Sequence, residues 1–180
     1  MGAFTAFMYG FRDREKILDI FEAISGARLL YNYMWIGGVA RDITPELVTK
    51  IKEFVDYFEP KIDEYNTLLS FNKIFTERTK DIGVIDIPTC YSYGMTGVML
   101  RGAGMRWDLR KDVPYSIYKE VEFDVPVGSG EMGTLGDCWD RHIVRMREMK
   151  ESIRIIRQLI DGIPAGPHRG KVGKTVKVPV

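Results

Sequence analysis

Gly128-Ser129-Gly130-Glu131-Met132-Gly133 spells GxGxxG, the spacing with which backbone amides ahead of a helix can cradle a pyrophosphate. It lies between a strand candidate and a helix, as such a site requires. That chemistry also needs a second parallel strand after the helix, whose end supplies an acid for the ribose, and here the helix runs into Pro164 and a basic tail. The motif therefore reads as a flexible surface loop. Gly170-Lys171-Val172-Gly173-Lys174-Thr175 resembles the end of a phosphate-binding loop, but the first glycine of that pattern would fall on His168. Only Val176 to Val180 follow, where a helix should present its amino end to the phosphate. A solvated tail is the better reading.

His142 and His168 are the only near-neutral bases, one at the start of a helix and one in the tail, and neither has a Ser or Cys partner at a recognisable spacing. Cys90 and Cys138 form no CxxC pair and no metal-ligand spacing, so a reducing setting without a disulfide framework fits them. Cys138, near a helix amino end, has two readings: a thiolate favoured by the helix dipole, or a buried structural cysteine. Asp13, Glu15, Asp137, Asp140 and Glu148 alternate with arginines along helices, which suits solvated or ion-paired faces before paired catalytic carboxylates. Within Arg101 to Arg110, three arginines and Trp107 stand on a glycine-rich stretch. They suit docking against a protein or an anion, or else satisfy the carbonyls of an irregular loop.

Helices must carry most of these groups. From Ala3 to Ile24, apolar side chains recur at Phe7, Phe11, Leu18, Phe21 and Ile24 among charged residues, the period of a helix with one buried stripe, and Ser25-Gly26 stops it. Residues 27–43 have no clean period but hold Tyr31, Tyr33, Trp35 and the Gly37-Gly38 pair, an ordered aromatic connection. Thr44-Pro45-Glu46 starts a second helix with Leu47, Ile51, Phe54, Val55 and Phe58 inward. Pro60 is expected to break or kink it before the rhythm resumes at Ile62, Tyr65, Leu68 and Leu69.

Residues 71–112 are loop-rich and glycine-punctuated, with short helical turns expected near Lys73 to Arg78 and Thr89 to Tyr93. Val121, Phe123, Val125 and Val127 alternate with Glu122, Asp124 and Pro126, the period of a strand or extended edge. Asp137 caps the clearest helix, with Ile143, Met146, Met149, Ile153, Ile156 and Ile160 inward, ended by Gly162 and Pro164. The expected organisation is one helical domain over 1–166 and a basic, disordered tail over 167–180.

With 26 basic and 25 acidic side chains the net charge is +1, so no global field recruits nucleic acid, and partners are recognised by shape. No apolar run approaches the roughly 18 residues that a membrane span needs. The apolar start of the first helix offers Phe4, Phe7, Met8 and Phe11, and exposure of that area predicts self-association of the isolated chain.

Five ordered motifs belong together: Ser25-Gly26-Ala27-Arg28; Gly37-Gly38-Val39; Arg78-Thr79 through Gly83-Val84; Leu100-Arg101-Gly102 through Trp107-Asp108-Leu109-Arg110-Lys111; and Gly136-Asp137-Cys138-Trp139-Asp140-Arg141. In this order they closely resemble the D subunit of NADH:quinone oxidoreductase, the hydrogenase-like peripheral subunit of respiratory complex I. The resemblance runs from Gly2 to about Pro167 and covers the middle of the family's length, so the chain reads as an internal piece.

The resemblance implies a mainly α fold, a helical bundle of the hydrogenase large-subunit type with one short extended segment and long ordered loops. It implies a partner subunit carrying the terminal iron–sulfur cluster, a quinone chamber between the two, and a peripheral place on the cytoplasmic side of the cell membrane. No cofactor is expected on this chain: FMN, the iron–sulfur clusters and the NADH site of the parent complex belong to other subunits, and the protein contributes positioning and electrostatics. The family's quinone-headgroup His and Tyr fall ahead of Gly2, so the isolated chain is expected to be inactive.

Candidates facing the cluster and quinone are Arg28, Tyr33, Gly37, Gly38 and Arg101, and Arg106, Trp107 and Arg110 are candidates for docking a partner. Many family members carry a His soon after the first motif and an Arg shortly before the glycine pair, where this chain has Leu30-Tyr31 and Trp35; its 128–136 loop is also longer than usual. Nickel would need two CxxC pairs, which Cys90 and Cys138 cannot supply. The competing reading is a non-catalytic scaffold or partner-binding module.

Overall fold

The computed structural model describes residues 2–171. The fold is mainly α. Three long helices frame it: α1, Phe4–Ser25; α2, Pro45–Tyr65; and the last helix, Cys138–Ile160, with four short ones between. These are α3, Lys73–Thr79; α4, Ile87–Ser92; α5, Val98–Gly102; and α6, Leu109–Asp112, so the last long helix is α7.

A central layer forms because α2 packs against both α1 and α7. Val55 and Ile62 of α2, Phe75 of α3, and Trp139, Ile143, Met146 and Ile153 of α7 make the main core. The inward positions expected for α2 and α7 are the ones that pack there. At its start α2 has the expected cap, with Thr44 Oγ1 accepting from the Leu47 amide at 3.4 Å and Pro45 in the first turn. Pro60 does not end the helix, which runs on to Tyr65. Proline removes only the bond to the Asp56 carbonyl, and both residues lie on the exposed face, where water satisfies the freed acceptor. A π-helical turn, Asn66–Ser70, follows and closes with the Phe71 amide on the Asn66 carbonyl at 3.0 Å.

The helix expected over Ala3 to Ile24 is α1, and Gly26 caps it in the left-handed conformation at φ 83°. Its buried stripe is not the expected one. Phe7, Phe11 and Phe21 are exposed, whereas Ala6, Gly10, Asp13, Ile17, Ile20 and Ile24 form the inner face. Those positions also recur at helical spacing, and the charged Asp13 among them disguised the pattern.

Residues 121–125 are extended, and Val121, Phe123 and Val125 are buried against Ile155 as the alternation predicts. They are not part of a sheet. Side chains of α7 take the place of a neighbouring strand: the Glu122 amide donates to Gln158 Oε1 at 2.9 Å and the Asp124 amide to Glu151 Oε2 at 2.8 Å. The two-stranded sheet lies elsewhere, in the aromatic connection, where β1 (Met34–Trp35) pairs antiparallel with β2 (Gly38–Val39). Residues 172–180 of the expected tail lie outside the described residues. Its earlier part runs beside β2, with a bridge between Gly38 and Arg169.

Candidate functional site

The sequence candidates fall into two groups. The first begins where α1 ends. Ser25 Oγ donates to the Phe21 carbonyl at 2.7 Å, Gly26 turns the chain, and Arg28 folds back onto α1 against Asp19 at 2.6 Å, Glu22 at 3.2 Å and Glu15. One cation thus meets three exposed carboxylates. Leu30 and Asn32 take positive φ angles of 59° and 36°, which set Tyr31 against Phe21 with ring centroids 4.5 Å apart. Trp35 Nε1 donates back to the Asn32 carbonyl at 2.8 Å.

Tyr33 closes this segment, its hydroxyl donating to the Arg41 carbonyl at 2.9 Å while its own carbonyl accepts from Ala40 at 2.8 Å. Burial, followed by the charge of Asp42, pushes the Tyr33 phenol above its usual value. Between the end of α1 and β2 these residues leave a cleft of about 610 Å³, walled by Phe21, Ile24, Tyr31, Tyr33, Met34 and Val39. Gly37 and Gly38 form the turn between β1 and β2. At Gly38, with φ 151°, a Cβ would stand 2.3 Å from the His168 carbonyl oxygen, so only glycine fits.

Arg101 is placed apart from that group. Nine-tenths buried, its side chain reaches Glu148 on α7 at 2.6 Å and the Trp107 carbonyl at 3.0 Å, with Asp108 at 3.9 Å. Arg110 wraps the same Asp108 at 2.7 Å. Burial works to raise the Asp108 pKa, but the hydrogen bonds from Arg110 and the charge of Arg101 hold it below the usual carboxylate range. Arg101, Trp107 and Arg110 therefore form one internal network, and Arg106 beside them is exposed.

The glycine pattern at 128–133 holds an anion already. Asp140 accepts from the amides of Ser129 at 3.3 Å, Gly130 at 3.1 Å and Gly136 at 3.0 Å. An internal carboxylate sits where a phosphate would, and the loop is pinned rather than flexible. Asp81 fixes its far side by accepting from the Thr134 amide at 2.9 Å and hydroxyl at 2.7 Å. Asp137 caps α7 through the Asp140 amide at 2.8 Å and also takes the Asp81 amide at 2.9 Å.

Two further groups have no local signature in the sequence. His142 does have a serine partner, Ser70 of the π-turn, with Oγ 2.9 Å from Nε2. Ser70 is fully buried and donates to Asn66 Oδ1 at 2.8 Å, so it has no path to a substrate and ties the π-turn to α7. Asp13, expected on a solvated or ion-paired face, is buried and accepts from Tyr57 at 2.9 Å, from Tyr65, and from Arg12 at 2.8 Å. Spacing of 44 and 52 residues hides these partners from any local pattern. Among the described residues, no group of His, Cys, Asp and Glu could hold a metal ion, and no helix is long and apolar enough to cross a membrane.

The family model described as respiratory-chain NADH dehydrogenase, 49 Kd subunit, matches residues 1–179. The chain belongs to this family. Among members of the 49 Kd family, the NADH-quinone oxidoreductase D subunit of Chlorobaculum tepidum is 51% identical over 168 residues, 93% of this chain and 42% of the relative. The D subunit of Chlorobium phaeobacteroides is 52% identical over 91% of this chain and 41% of its own length. That of Desulforamulus reducens is 48% identical over 100% of this chain and 48% of its own length. The chain thus spans less than half the length of the curated 49 Kd relatives it matches.

Proposed function

We propose that this chain forms one wall of the quinone-reduction chamber of an NADH-quinone oxidoreductase, closed by the neighbouring subunit that carries the terminal iron–sulfur cluster. In this reading FMN, the clusters and the NADH site belong to other subunits, and electron transfer to quinone is coupled to proton translocation by the complex. The assembly stands peripherally on the cytoplasmic side of the membrane. What carries the reading is the cleft between Phe21, Tyr31, Tyr33 and the Gly37–Gly38 turn, in a chain whose relatives are named as an NADH-quinone oxidoreductase component.

Flat aromatic and apolar walls suit a quinone ring and its tail, which offer π faces and hydrocarbon rather than charge. Tyr33 serves as wall and not as proton donor, because its hydroxyl is committed to the Arg41 carbonyl and burial keeps its proton on. The protons that quinone takes up therefore come from groups outside this cleft. Arg28, held by three carboxylates, fixes the exit of α1 and leaves that rim negatively charged.

A second reading, a scaffold that binds partners without a redox role, draws on the Arg101 network, where candidate docking arginines are spent on internal carboxylates. Tyr31→Ala in the assembled complex separates the two. The chamber reading expects a higher KM or lower kcat for a short-chain quinone, with unchanged electron flow from NADH to a chemical acceptor upstream of quinone. Unchanged quinone kinetics in an assembled complex would sink it and leave the scaffold.

A further inference from the structure

Residues 161–171 are all exposed, yet three of them make ordered contacts with the candidate site. The Val39 amide donates to the His168 carbonyl at 3.0 Å, the Gly170 amide donates to the Gly37 carbonyl at 2.8 Å, and Arg169 bridges Gly38 between them. The Arg169 guanidinium lies 4.9 Å from the centroid of the Trp35 ring, on the other strand of the hairpin. From these contacts we infer that His168–Gly170 is a strap that closes over the Gly37–Gly38 turn and sets the hairpin's conformation, with Arg169 as the positioning residue that fastens it.

Two features of the hairpin make it depend on such a strap. Each of its strands is two residues long, and a lone two-stranded ribbon of that length is not stable in water. The strap adds a third chain and satisfies one backbone donor and one acceptor of the turn. Gly38 has the complementary form: its missing Cβ is the space that the His168 carbonyl oxygen fills, 2.3 Å from where that atom would be. A loop that merely drifted past would not require glycine there. Because Phe21, Tyr31 and Tyr33 adjoin the same hairpin, a strap that moves would change the shape of the cleft, and that last link rests on the chamber reading above.

Residue-resolved hydrogen exchange on the full chain tests the strap without any assay of activity. Arg169→Ala should speed exchange about two- to fivefold at Val39 and Gly170 and also at Ala40, whose amide bonds to Tyr33 inside the hairpin. Arg169→Lys, which keeps a cation over the indole, should restore most of the protection. Gly38→Ala should abolish protection at Gly170, since the added methyl and the His168 carbonyl cannot coexist. The strap is overturned if Arg169→Ala leaves all three amides as in the parent chain, or if Ala40 keeps full protection while Gly170 loses it. In the assembled complex, a raised Ala40 exchange with unaltered quinone kinetics would leave the strap standing and count against the chamber reading alone.

Discussion

The carboxylate of Asp13 on α1 accepts a hydrogen bond from the Tyr57 hydroxyl of α2 at 2.9 Å, across 44 residues of sequence. Tyr65 supplies a second phenol one helical repeat on, so a single buried charge fastens the two helices. Burial opposes the carboxylate, yet hydrogen bonds from Arg12, Tyr65 and Tyr57 outweigh it and hold the Asp13 pKa below the usual range. Removing the acceptor strands the buried hydroxyls, and Asp13→Ala should cost about 2–4 kcal/mol, against about 1–2 for Tyr57→Phe. Urea unfolding midpoints of the two variants check this. Since the folded pKa is depressed, this contribution is complete above about pH 4 and is lost as pH falls through the folded value.

His142 sets a second, milder pH dependence. Its pKa is lowered, first because burial beside Phe75 disfavours the imidazolium and then because Arg145 adds like charge. The unfolded chain therefore takes up a proton before the folded one does. Stability should be full above about pH 6.5 and decline as pH falls from there to the folded value, by at most about 1.4 kcal/mol per unit. Thermal midpoints between pH 7.5 and 5 should show the slope, and His142→Gln should flatten it. An equal slope in the variant would assign the effect to other groups.

Asp140 occupies the cradle that the glycine pattern offers, and an occupied cradle binds nothing else. Millimolar NADH or ATP should leave the thermal midpoint of the chain unmoved. Asp140→Ala leaves the amides of Ser129, Gly130 and Gly136 without their acceptor; a loss of about 2–4 kcal/mol and fast hydrogen exchange through 129–136 are expected. Exchange that stays slow in the variant would show that Asp81 alone holds the loop.

Phe4, Phe7, Met8 and Phe11 stand 70%, 55%, 48% and 46% exposed along one side of α1, with Phe7 and Phe11 ring centroids 4.6 Å apart. Such a stripe favours association in water. Sedimentation of the purified chain should show mass rising with concentration, and Phe7→Ser with Phe11→Ser should return it to monomer while shifting stability by no more than about 1 kcal/mol. A concentration-independent monomer in the parent chain would refute the expectation.

The long helices are legible in the sequence because their signals are local. Gly26, Thr44 with Pro45, and Asp137 mark ends that the structure keeps, and the periodic residues of α2 and α7 are the ones that pack. What escapes depends on distant partners. Asp13 resembles a surface residue because charge at one position says nothing of two phenols on another helix. The alternation from Val121 to Val125 reports burial correctly, but a period of two carries no information on whether a strand or the side chains of a helix will meet the backbone. The hairpin is hidden for a different reason: strands of two residues have no period to detect. Of the candidate site, Tyr33 and the glycine pair are marked by sequence, whereas Phe21 and Tyr31 join them as walls only through the left-handed turns at Leu30 and Asn32. Arg101 is legible as an arginine with a task, and its task lies with Glu148.

The way α7 holds residues 121–125 bears on how this protein would fail. Val121, Phe123 and Val125 make a short β-prone segment, and in a strand the unoccupied amides along its rim would template growth of a second chain. Gln158 and Glu151 occupy that rim, so the helix acts as a guard for its neighbour's backbone. Fraying the last turns of α7 would release it, making the carboxyl-terminal half of that helix the gatekeeper against precipitation on heating.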